Sequence, residues 1–341
     1  MLEYEEIYIN YLKSLNYSNQ TIKSKVSYFR SFENYLKKVG IKNSIKNYTK
    51  KILQEYYLYL TKYKYKIADN SETGYLREKS RRKYITKKLV LNTILSRIYA
   101  LKSYINYLLD HGKMYENPFE KIELPKYQDT LKLDITENDI EKLINEIDTK
   151  TFLGYRDRTI IELIYSTGLR RKEVKKLSIY DIDFNENILK VNQGKGRKDR
   201  IIPLGNVIKS YLKEYIINVR KYLLSINNMF NDILFVNSNG DSLSIGSIGR
   251  IIRLYAIKSK MYHITTHKLR HAFALHMMRK GCDIRYIQEI LGHENLETTT
   301  VYTSVFDHDL KEKILKYHPR DHELNEKIDV EEIKKICKKT K

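Results

Sequence analysis

Between His267 and Tyr302 the chain reads His267-Lys268-Leu269-Arg270-His271, then Leu291-Gly292-His293, then Val301-Tyr302. Two histidines, an arginine and a tyrosine in this order supply proton handling, anion binding and a nucleophile. Two further cations stand upstream in special local settings. Arg170 follows the helix-stopping Gly168 and precedes the next helix. Lys195 lies between Gly194 and Gly196 at a hairpin tip, where glycine lets the backbone approach a ligand closely.

Taken singly, each residue has an ordinary explanation. Arg170 is one of 63 basic side chains and reads as a surface cation. Lys195 alone is a loop lysine touching phosphate, and His293 alone a helix-terminating residue. Tyr302 is one of 30 tyrosines. His267 and His271 invite comparison with the zinc pattern His-Glu-x-x-His, but Lys268 stands where the glutamate belongs, so no metal is expected there. Only the joint order and spacing single the set out.

The elements that must position these groups belong to a strongly basic chain. Over 341 residues, 63 basic against 42 acidic side chains leave a net charge of +21. Such a field attracts polyanions and makes their binding salt-dependent, so the expected anion is a nucleic-acid phosphate. A membrane surface is the rival polyanion. However, the chain has no run of about 18 apolar residues, and its start, Met1-Leu2-Glu3-Tyr4-Glu5-Glu6, is acidic and lacks a signal-peptide core. The expectation is a soluble intracellular protein without a membrane partner. Two cysteines, Cys282 and Cys337, support neither a disulfide framework nor a cysteine zinc site.

The length allows two domains, each with its own core. Ile22, Val26, Phe29, Phe32 and Leu36 recur at helical steps before Gly40, as do Leu91, Ile94, Ile98, Leu101, Ile105 and Leu108 before Gly112. Residues 63–88 are polar, basic and non-periodic and read as a loop, with Lys79, Arg81, Arg82 and Lys83 available to a phosphate backbone. Pro118 and Pro125 precede a boundary at 127–134, after which Thr136 and Asp139 have N-cap spacing. The domains are therefore drawn at 1–126 and 135–320, followed by a charged tail at 321–341.

In the second domain, helices are expected over Asp139–Ile147, about Tyr155–Ser166 and Arg171–Leu177. The period switches near Ile188, giving strands at 188–192 and 200–203 joined by the Lys195 turn. Helices resume from about Ile245 to Lys316. Thr265 or Thr266 caps one that buries Leu269, Phe273 and Met277, and Asp283 caps the next, which buries Ile284, Ile287 and Leu291.

These pieces resemble the tyrosine recombinases of the phage-integrase and Xer type. The matching residues are Thr167-Gly168-Leu169-Arg170-x-x-Glu173, the Gly194-Lys195-Gly196 hairpin with Lys198 and Arg200, His267-x-x-Arg270-His271, Leu291-Gly292-His293 and Tyr302, with Tyr317-His318-Pro319-Arg320 similar to the end of simple Xer-type members. The match runs from about Thr136 to Pro319, and the N-terminal third is similar to the family's helical core-binding domain. Arg171 directly follows Arg170, where many members carry a smaller residue; the Gly-Leu-Arg spacing favours Arg170 as the phosphate ligand.

The resemblance implies a mostly α fold with a small β-sheet, arranged as a two-domain, C-shaped DNA clamp. It implies that Tyr302 attacks a scissile phosphodiester, that Arg170 and Arg270 hold its non-bridging oxygens, and that Lys195 protonates the leaving 5′-oxygen. His267 would assist proton transfer and His293 would donate a hydrogen bond to the phosphate. No cofactor, metal or ATP is expected. The implied partners are duplex DNA carrying a specific site and further copies of the chain, to a tetramer through a Holliday junction, with an accessory or partner recombinase left open. The helix after Tyr302 (309–316) would dock on a neighbour. Relaxation by a type IB topoisomerase, a non-enzymatic architectural DNA-binding protein and a metal-dependent nuclease are the alternatives.

Overall fold

The computed structural model describes residues 2–68, 84–120, 122–125, 135–192, 199–292, 314, 316–318 and 320. The chain folds as two compact units, Met1–Lys132 and Leu133–Lys341.

The first unit is helical. Helices α1 (Glu5–Ser14), α2 (Asn19–Lys38), α3 (Lys50–Lys62) and α4 (Leu91–Asp110) bury their apolar stripes against one another. Ser18 and Thr49 cap α2 and α3 by accepting from Thr21 N and Ile52 N. The core is unusually aromatic. Tyr8 lies 5.3 Å from Tyr104 and 5.0 Å from Tyr107 between ring centres, and Phe32 lies 4.9 Å from Tyr56. A tyrosine can serve as a core residue where its hydroxyl is paired. Tyr8 Oη meets Ser103 Oγ at 2.8 Å, and Tyr56 donates to Ser31 Oγ, which also accepts from Arg97. Burial pushes the Tyr56 hydroxyl up to about 12.

Residues 64–68 and 84–88, read as loop, form an antiparallel ribbon of β1 (Lys64–Ala68) and β2 (Tyr84–Lys88), in register from Lys64↔Lys88 to Ala68↔Tyr84. Lysines obscure the pattern, but Tyr65, Ile67, Tyr84, Ile85 and Thr86 are strand formers. The basic residues 79–83 lie outside the described residues. Leu91 is also partly exposed at the start of α4, so the stripe begins at Ile94.

The second unit is built around α6 (Phe152–Thr167), buried along nearly its whole length. Its charges survive burial through pairing: Arg156 with Asp157, and Arg158 with Glu162 and the Ile144 carbonyl. Before it, α5 (Glu137–Asn145) starts on the Thr136–Asp139 capping box. After it come α7 (Arg171–Lys176) and an antiparallel sheet of β3 (Ile182–Asp183), β4 (Ile188–Val191) and β5 (Arg200–Pro203) in that order. A helical run outside the expected elements follows: α8 (Asn206–Glu214), a π-helical stretch (Tyr215–Arg220) and α9 (Lys221–Ser225), burying Ile208, Leu212, Tyr215, Val219 and Leu223. Next are α10 (Ile245–Lys258), α11 (Thr266–Arg279) and α12 (Ile284–Leu291). Leu269, Phe273 and Met277 are buried on α11 as expected. On α12, Ile284 is instead exposed at the first turn, and Ile287, Ile290 and Leu291 face the core. Cys282 lies in the turn between these helices and is buried. Ile314 is fully buried in this unit's own core. Among the described residues, no helix is long and apolar enough to cross a membrane.

Candidate active site

Arg170 is set by the end of α6. Gly168 terminates that helix in the left-handed region (φ 62°), its N–H returning to the Ile164 carbonyl. A side chain would be excluded by space as well as by conformation, since a Cβ there would stand 2.5 Å from Leu291 Cδ2. Leu169 is fully buried, and the next residue, Arg170, is the N-cap of α7. Glu173 reaches back to it: Oε2 accepts from the Arg170 backbone N–H at 2.8 Å and Oε1 from Nη1 at 3.0 Å. The Arg170 side chain remains 31% exposed. The Arg171 guanidinium lies against bare backbone at Gly249, where a Cβ would come 2.6 Å from its Nη1.

Arg270 comes from the first turns of α11, which Thr265 caps by accepting from Lys268 N. It is 9% exposed, donating to the Gly168 carbonyl through Nη1 and to the Leu291 carbonyl through Nη2. The end of α12 thereby organises the site. A helix C-terminus presents carbonyls without intrahelical partners and carries partial negative charge. Here Ile290 O accepts from Arg200 Nε at 2.7 Å, Leu291 O from Arg270 Nη2 at 2.6 Å, and Gly292 O from Arg170 Nη2 at 3.5 Å. Gly292 closes α12 in the left-handed conformation (φ 62°).

His267 is an exposed residue three positions before Arg270 on the same helix. Partial desolvation, then the charges of Arg171, Arg270 and Arg170, hold its pKa below the usual histidine value. Burial, then Arg170, bring Arg270 down to about 10, so it stays a cation at neutral pH. Burial alone would raise Glu173, but hydrogen bonds from Arg200 and Arg170 outweigh it and keep the carboxylate ionised. Arg170 and Arg200 therefore hydrogen-bond one carboxylate whose charge also attracts Arg270, leaving a net positive site with donors to spare.

The structure brings Arg170, His267 and Arg270 together. His271 is exposed one turn further along α11, and among the described residues no cluster of His, Cys, Asp or Glu is arranged to hold a metal ion. Lys195, His293 and Tyr302 lie outside the described residues; the paired strands β4 and β5 flank Lys195 in the sequence. Glu173 and Arg200, recognised in the sequence only as matching residues, turn out to be the link between Arg170 and the end of α12. The signal for Glu173 was its N-cap spacing to Arg170.

Residues 134–309 match the profile of the Phage integrase family. The tyrosine recombinase XerC of Bacillus subtilis is 32% identical over 322 residues, covering 94% of this chain and 97% of the relative. The chain belongs to the phage integrase family. Its tyrosine recombinase relatives also include XerD of Listeria innocua, 38% identical over 224 residues, covering 65% of this chain and 75% of the relative. The fold agrees: a lambda integrase tetramer bound to a Holliday junction superposes with a TM-score of 0.59 at 16% identity, covering 87% of this chain and 79% of that one. The mostly helical architecture with small sheets is that of the family. The chain is accordingly a tyrosine recombinase, an enzyme of DNA strand cleavage and exchange.

Proposed function

We propose that the site cleaves and rejoins duplex DNA at a specific sequence through a 3′-phosphotyrosyl intermediate. Tyr302 Oη attacks the scissile phosphorus as its proton leaves with help from His267, and the bond to the 5′-oxygen breaks. Lys195 gives that oxygen its proton, and a 5′-hydroxyl departs. Arg170 and Arg270 hold the non-bridging oxygens, and His293 adds a further hydrogen bond. Together they stabilise the charge of the pentacoordinate transition state. The observation that carries this reading is the meeting of Arg170, Arg270 and His267 around an incompletely neutralised positive site. Because one phosphodiester is exchanged for another, ATP is not required. The arginines supply the charge stabilisation that metal ions give in other phosphoryl-transfer enzymes.

In this reading residues 1–126 form the core-binding domain and 135–320 the catalytic domain. The chain works on DNA in the cytoplasm, at the nucleoid, as a tetramer on two sites, in chromosome-dimer resolution or in integration and excision of a mobile element. A duplex nicked just beyond the scissile phosphate should trap a covalent adduct in EDTA without ATP. Adduct formation only on adding a divalent cation would overturn the reading.

The depressed pKa of His267 has a consequence for binding. The ring is neutral in the free protein near pH 7, and a bound phosphodiester raises its pKa, so binding takes up a proton near or below the value in the complex, while above it the ring stays neutral and can receive the tyrosine proton. Duplex affinity should be highest below the free-state pKa and fall as pH rises through the value in the complex. His267→Gln should flatten this dependence in a fluorescence-anisotropy titration; an unchanged slope would assign it to another group.

A further inference from the structure

The roles assigned above leave Arg200 without a part, although it sits at the centre of the cationic cluster. We infer that Arg200 is a positioning residue that keeps Arg170 available to the scissile phosphate; this rests on the reading of Arg170 as a phosphate ligand. Arg200 is no candidate for contacting DNA itself. Its side chain is 7% exposed, and all three guanidinium nitrogens are engaged inside the protein: Nε with Ile290 O at 2.7 Å, Nη1 with Glu173 Oε1 at 3.2 Å and Nη2 with Glu173 Oε2 at 3.0 Å.

Its effect is on the choice open to Glu173. An arginine and a carboxylate left to themselves close a two-pronged contact. Arg200 occupies both carboxylate oxygens, so Arg170 reaches Glu173 through Nη1 alone, while its Nη2 points to the Gly292 carbonyl at a long 3.5 Å. Arg200 also offsets the charge of Glu173, so that Arg170 is not neutralised by it. Because Arg200 opens β5 opposite Val191, the same contact fixes the base of the β4–β5 hairpin to the end of α12. Without Arg200, Arg170 is free to fold onto Glu173 and is lost to the phosphate.

The test compares full-length Arg200→Ala, Arg200→Lys and Arg170→Ala in single-turnover cleavage of a nicked duplex. The scissile group is either an ordinary phosphodiester or a methylphosphonate, in which one non-bridging oxygen is replaced by methyl. The neutral group lacks the charge that Arg170 would stabilise, so it should lean less on that arginine. Arg200→Ala should cleave the phosphodiester about 100-fold more slowly, the scale of a misplaced catalytic group, with duplex affinity nearly unchanged. On the methylphosphonate its deficit should shrink in parallel with that of Arg170→Ala. Arg200→Lys keeps the charge and should recover part of the rate; if the alanine variant does not fold, the lysine variant must show the same substrate pattern. A deficit of Arg200→Ala equal on both substrates, beside an Arg170→Ala deficit that shrinks, overturns the inference alone. An Arg170→Ala deficit that does not shrink overturns the reading of Arg170, and the inference with it.

Discussion

Replacing Arg270 by alanine should slow strand cleavage by about 1,000-fold, the upper range for removing one preorganised donor to a developing charge. Arg270 is a strong case because its charge is held in a buried place by two backbone carbonyls, Gly168 O and Leu291 O. Those bonds use two of the five guanidinium N–H groups, leaving others for a phosphate. Removing the side chain also leaves both carbonyls without that donor, at a cost of about 1–3 kcal/mol for each group left unpaired. A lower urea midpoint should therefore accompany the slower chemistry. Arg270→Lys should rescue little, since one ammonium cannot reproduce the planar fork that bridges the end of α6 to the end of α12. Single-turnover cleavage and urea titration on the same variants check both effects. Cleavage by Arg270→Ala within tenfold of the parent would remove Arg270 from the phosphate.

Tyr302→Phe has the larger effect. It deletes one oxygen, and with it the atom that becomes bonded to phosphorus. Covalent adducts should disappear, while equilibrium binding to duplex DNA stays within about twofold, because phosphate contacts from many basic residues supply affinity. A phenylalanine variant that still forms an adduct would place the nucleophile elsewhere.

The parts of this molecule that were legible in its sequence are those fixed by local hydrogen bonds. Thr136 with Asp139, Gly168, Thr265, Asp283 and Gly292 each start or stop a helix through partners within four residues. The placement of His267 and Arg270 in the first two turns of α11 follows from such a cap. The ribbon of β1 and β2 was hidden because lysines interrupt its alternation. The run from α8 to α9 carries a legible stripe, Ile208, Leu212, Tyr215, Val219 and Leu223, at steps of three and four. The buried charges of α6 resemble the exposed ion pairs of a solvated helix; their burial depends on what packs around them. Neither could the Arg200 contacts be foreseen, since they join residues 27 and 90 positions apart. His276 is similar: it sits between Tyr165 Oη and the Ile135 carbonyl, a buried link with no local motif.

Everything proposed for the site turns on which atom bonds to DNA. The adduct trapped by the parent chain on a nicked duplex can be digested with nuclease and trypsin and sequenced by tandem mass spectrometry. A nucleotide joined through its 3′-phosphate to Tyr302 is the predicted result. A phosphate on any other residue, or one joined through the 5′ end of the DNA, would contradict the mechanism.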